Sequence, residues 1–160
     1  MGKEDVVDFG DVISISAIDT QTHEFKSKDE LFHYIASLLS NAGYITDEDS
    51  YVKALYVRES EGSTYMGNGM VMPHGRSDAV KKPGISICRF APMKYEGEEE
   101  ELAEYAVALA IPSTTKSEEY MRILAKVACS MLDEEVVKSV RYEMDAKKIM
   151  DTLLSGIQNN

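Results

Sequence analysis

The chain has 160 residues, 44% of them hydrophobic and 28% charged, enough for one domain with a substantial core and too few to expect two. Acidic residues outnumber basic ones 28 to 17, and the net charge of −11 argues against nucleic-acid binding while suiting a partner that carries a basic patch. There is no apolar run of about 18 residues and no basic-then-apolar leader, so neither a membrane span nor a secretory signal is expected, and the expected location is cytoplasmic.

The first element is a strand over 11–18, DVISISAI, rich in β-branched residues. Ser27-Lys-Asp-Glu30 has the capping-box pattern, and Leu31, Ile35, Leu38, Leu39 and Ala42 follow at helical spacing until Gly43. Thr46-Asp-Glu-Asp49 opens a second helix with acids in its first turn, where the helix dipole favours them; its apolar stripe is Val52, Leu55 and Tyr56, and Gly62 ends it. The stretch MGNGMVMPHGR, 66–76, then reads as a glycine loop leading into a short strand at Met70 to Met72, closed by Pro73.

ISICRF, 85–90, is predicted as a strand and AVALAI, 106–111, as a buried one, with the acidic EGEEEE, 96–101, as a solvated loop between them. The last third is helical. Ser117 caps a helix bearing Met121, Leu124, Val127, Ala128 and Met131, and Asp133 and Asp145 are N-caps for two shorter helices. Strands alternating with helices predict an α/β fold: a single-domain three-layer sandwich, with a mixed β-sheet flanked by helices, spanning 8–157.

Among the reactive side chains, Cys88 and Cys129 lack CxxC spacing and are expected as buried, reduced thiols. His23 in a polar connector and His33 inside the first helix are read as structural or exposed, and the histidines share no metal-ligand spacing. His74 differs. Pro73 restrains the backbone before it, Gly75 leaves it uncrowded, and the turn places it to face a ligand. A lone imidazole of this kind serves either as a nucleophile or as a turn residue bonding the backbone, and the YMGNG loop offers N–H groups that favour an anion. Arg76 could contribute from beside the histidine, but reads first as a solvated turn arginine.

The string RESEGSTYMGNGMVMPHGR, 58–76, resembles the IIA domain of the fructose/mannitol type in the bacterial phosphoenolpyruvate-dependent sugar phosphotransferase system. Arg58, Glu59, Gly67, Gly69, Pro73, His74 and Gly75 fit its pattern, and the order of the other elements resembles the family over nearly the whole chain. The resemblance implies a phosphoryl carrier needing no cofactor or metal. His74 would accept a phosphoryl group from a histidine-containing phosphocarrier protein and pass it to a cysteine of a IIB component, serving a membrane IIC component. The alternative is a regulatory module whose phosphorylation state controls a partner protein. Arg58 would stabilise the phosphoryl group, since guanidinium matches phosphate geometry. In YMRIL, 120–124, Tyr120 stands where many relatives have a second histidine, and its hydroxyl can donate to phosphate without carrying charge.

Overall fold

The computed structural model describes residues 7–95 and 102–159. After a 3₁₀ turn at Phe9–Asp11, strand β1 runs over Ile13–His23, five residues beyond the predicted end at 18. Parallel pairing carries it on: Thr22 and His23 stand opposite Arg89 and Phe90, so the connector expected around His23 is partly strand. The His23 ring bonds the Asp19 carboxylate at 2.8 Å, and Tyr34 donates to the same oxygen, which makes this histidine structural.

Helix α1, Lys28–Asn41, begins as predicted, with Ser27 accepting the Glu30 N–H, and Gly43 takes the positive φ that follows its last turn. Helix α2, Glu48–Glu59, is capped by Asp47 and not by Thr46. The Thr46 hydroxyl donates instead to the Ala79 carbonyl, leaving the Asp47 carboxylate to accept the Ser50 N–H. Its buried face is Tyr51, Val52 and Leu55, whereas Tyr56 is exposed and reaches Asp29.

The glycine loop is the turn of a hairpin between β2, Tyr65–Gly67, and β3, Met70–Val71, with Gly67, Asn68 and Gly69 all at positive φ. The chain does not turn at Pro73. It continues into β4, His74–Ser77, a strand that the short polar string HGRS gave no periodicity to predict. Strands β5, Gly84–Met93, and β6, Ala103–Pro112, extend the two predicted runs; the predicted acidic loop 96–101 lies outside the described residues. Helices α3, Ser117–Ser130, α4, Glu134–Tyr142, and α5, Ala146–Gln158, complete the chain. Asp133 and Asp145 cap as predicted, but Ser117 is the first helical residue, and the cap position is held by Lys116, whose side chain does not bond the helix N–H groups.

The strands form one mixed sheet in the order β1-β5-β6-β3-β2, with β4 also paired to β6 in parallel. The alternation along β6 separates the layers. Ala106, Ala108 and Ala110 pack with α1 and α2, while Tyr105, Val107, Leu109 and Ile111 pack with α3, α4 and α5. Small residues on the first face let α2 lie close to the sheet, where the buried Tyr51 hydroxyl donates to the Leu109 carbonyl at 2.8 Å. Of the cysteines, Cys88 is buried, but Cys129 is exposed. The expectation for Cys129 fails because α3 turns Ile123, Val127 and Ser130 to the core, and a residue two positions from Val127 falls on the opposite face. Among the described residues no helix is long and apolar enough to cross a membrane.

Candidate functional site

His74 heads the edge strand β4, opposite Leu109 of β6, and is only 6% exposed. Its Nδ1 lies 2.9 Å from the Met72 carbonyl oxygen, and its Nε2 lies 3.1 Å from Arg58 Nε. A carbonyl can only accept and a guanidinium N–H can only donate, so the geometry requires Nδ1 to carry the proton and Nε2 to carry the lone pair. Burial is the main cause holding the imidazole below its ordinary pKa of 6.5; the Arg58 charge works in the same direction and the Met72 carbonyl against it. The ring is therefore neutral, with a fixed tautomer.

Gly75 does not shape a turn here. A Cβ at that position would stand 3.0 Å from the Ala54 Cβ and 3.1 Å from the Ala54 carbonyl carbon, so the glycine lets α2 press against β4. That approach brings the last turn of α2, and Arg58 with it, to the imidazole.

Arg58 is half-buried and is held from its other side by the Gly62 carbonyl, which accepts from Nη1 at 2.8 Å. The loop that supplies this carbonyl is itself pinned by Glu59. The Glu59 carboxylate accepts from the Thr64 hydroxyl, from Tyr95 at 3.0 Å and from Lys28 at 3.2 Å, and its side chain is 6% exposed. In the sequence Glu59 fits the family pattern, and no role follows from that alone. The available signal was electrostatic, since an acid in the last turn of a helix opposes the dipole and needs specific partners to offset that cost.

Tyr120, in the first turn of α3, faces His74 with ring centroids 6.1 Å apart. Burial raises its pKa against the opposing charges of Arg58 and Arg76, so it stays a neutral donor. Arg58, Arg76 and Tyr120 line one cavity of about 320 Å³ beside His74, with Glu61 on the same wall. Arg76 is not the solvated residue expected: it is half-buried, and its Cζ sits 5.0 Å over the Tyr120 ring. The glycine loop, by contrast, is not part of this cavity. Its Asn68 carbonyl accepts from Arg141, and its Gly69 N–H donates to the Tyr65 hydroxyl, so the donors expected to favour an anion are not gathered at His74. The three predicted residues His74, Arg58 and Tyr120 do meet, from a strand and two helices distant in sequence.

A mixed sheet between helical layers, presenting a buried neutral imidazole at an edge strand, defines a three-layer α/β domain in which the Nε2 lone pair of that imidazole accepts from a guanidinium. The chain belongs to the family described as phosphoenolpyruvate-dependent sugar phosphotransferase system, EIIA 2, whose sequence model matches residues 11–156. It is 33% identical over 131 residues to the mannitol-specific phosphotransferase enzyme IIA component of Geobacillus stearothermophilus, covering 80% of this chain and 86% of that protein. It is 28% identical over 137 residues to the 2-O-alpha-mannosyl-D-glycerate-specific EIIABC component of Escherichia coli; the match covers 84% of this chain and only 20% of that longer protein. The nitrogen regulatory protein IIA-Ntr of Neisseria meningitidis shares the fold with a TM-score of 0.77 at 24% identity, over 91% of this chain and 98% of that one. Enzyme IIA of the mannitol system of Escherichia coli, solved in complex with phosphorylated enzyme IIB, shares it with a TM-score of 0.72 at 20% identity, over 90% and 99%.

Proposed function

We propose that this domain is a phosphoryl carrier whose acceptor atom is His74 Nε2. The observation that carries the reading is the fixed tautomer: Nδ1 is committed to the Met72 carbonyl, so the lone pair of Nε2 is the nucleophile. A phosphorylated histidine of a phosphocarrier protein is the donor. Nε2 attacks phosphorus, the N–P bond to the donor breaks, and Arg58 leaves the lone pair to bond the phosphoryl oxygens. In the second step a thiolate of a IIB component attacks phosphorus and the His74 N–P bond breaks, returning the lone pair to Nε2. Both steps are displacements that need alignment and charge stabilisation more than proton transfer, which suits a site built from a guanidinium, a tyrosine hydroxyl and a neutral ring. The mannitol IIA–IIB complex supports the choice of a IIB partner.

The test is intact-mass analysis after incubation with phosphoenolpyruvate, enzyme I and the histidine phosphocarrier. One added phosphoryl group is expected on the wild type and none on His74→Ala, and a wild type that stays unmodified with cognate partners overturns the reading. Adding the cognate IIB component then separates roles. Rapid passage to its cysteine marks a transport component, whereas phosphorylation without passage marks a regulatory module.

A further inference from the structure

We propose that Arg76 is a second phosphate-binding group of this site, so that two guanidinium groups lining one cavity hold the phosphoryl group on His74. The inference rests on the phosphoryl-carrier reading and extends it to a residue outside the family pattern. A phosphoryl group carries close to two negative charges near neutral pH, and Arg58 offsets only one of them. Tyr120 donates a hydrogen bond but no charge. Glu61, on the same cavity wall, adds negative charge, so a further cation inside the cavity is what the charge balance calls for.

Arg76 is placed and bonded as such a cation. It lies two residues after His74 on β4 and shares the cavity wall with Arg58 and Tyr120. Its Nη2 is tethered to the Ser113 carbonyl at 3.2 Å and to the Thr115 carbonyl. Its Nε is buried with no partner among the described residues. Neutral carbonyls fix the guanidinium without cancelling its charge, and no carboxylate bonds it among the described residues. The face of Tyr120 beneath it favours a cation stacked at this distance. A purely structural clamp between β4 and the segment before α3 accounts for the Nη2 bonds. It does not account for a buried Nε–H that has no partner among the described residues, beside a cavity whose carboxylate, Glu61, makes no bond to Arg76; a phosphoryl oxygen would satisfy that donor.

Potassium phosphoramidate supplies the test without any protein partner. Its phosphorus is attacked by an imidazole nitrogen, the N–P bond of the reagent breaks and ammonia leaves, and peptide mapping assigns the label to His74. Wild type, Arg76→Met and Arg76→Lys are compared by intact mass for the rates of gain and hydrolytic loss, and by phosphorus NMR for titration of the bound phosphoryl group. In Arg76→Met the label is expected to appear roughly tenfold more slowly, and the phosphoryl titration is expected to move to higher pH; Arg76→Lys recovers part of both. A clamp acting only on the fold would leave the phosphoryl titration in place. Unchanged rates and titration in a folded Arg76→Met overturn the role of Arg76 alone, whereas a wild type that takes no label at His74 overturns the carrier reading beneath it. If Arg76→Met does not fold, Arg76→Lys against wild type decides the matter, because a lysine cannot reproduce the guanidinium fork and a phosphoryl titration identical to wild type counts against the contact.

Discussion

The proton on His74 Nδ1 is held by the Met72 carbonyl two residues earlier, in the link between β3 and β4, and Arg58 donates to Nε2, so backbone and side chain together leave the lone pair on Nε2. Burial then keeps the ring neutral, with a consequence for stability. The folded-state pKa lies below the ordinary 6.5, so in acid the unfolded chain takes up a proton that the folded chain refuses. The associated stability is complete above that ordinary value and is lost as pH falls through the depressed one. Urea denaturation of wild type and His74→Gln at about pH 7 and about pH 5 checks the sign: the wild type is expected to lose more between them, and equal losses would count against a buried neutral ring. At this scale the sequence was readable where a motif carried the information. His74, Arg58 and Tyr120 stand out from their strings, whereas the string leaves Arg76 open between a turn arginine and a site residue, because its burial depends on Ser113, Thr115 and Tyr120, which come near it only in the fold.

Between elements, the site depends on how closely α2 approaches β4. Gly75→Ala puts a methyl against Ala54, and overpacking of this kind costs about 1–3 kcal/mol. Relief requires α2 to move outward and carry Arg58 from Nε2, so a lower urea midpoint is expected together with slower phosphoryl acceptance. A variant of wild-type rate would show that this spacing does not set the Arg58 position. The elements themselves were largely legible, because apolar periodicity marks α1, α3, α5, β5 and β6. What periodicity missed was β4: four residues, HGRS, are held as a strand by ladder pairing to β6 and not by any preference of their own. The cap of α2 slipped by one residue for a similar reason, since the competing partner of Thr46 is Ala79, far along the chain.

On the scale of the whole molecule, the charge of −11 governs encounter and not chemistry. Association with a partner presenting basic surface is expected to slow by about tenfold or more when salt rises from roughly 0.05 M to roughly 0.3 M, while the rate of transfer within the formed complex stays unchanged. Stopped-flow measurement across that range separates the two, and an association rate indifferent to salt would show that the surface charge plays no steering part. The Arg58 cap on Nε2 sets a different limit on what the protein meets in solution. A soft divalent metal such as zinc or copper binds imidazole through that same lone pair, and here it would have to displace a hydrogen bond and settle beside a permanent positive charge. A phosphoryl group rewards the guanidinium for moving, because its oxygens bond it again, whereas a metal cation only repels it. With His74 as the proposed phosphoryl acceptor, the same arginine would act as a chemical filter, opening the nitrogen to an anionic electrophile and disfavouring cations.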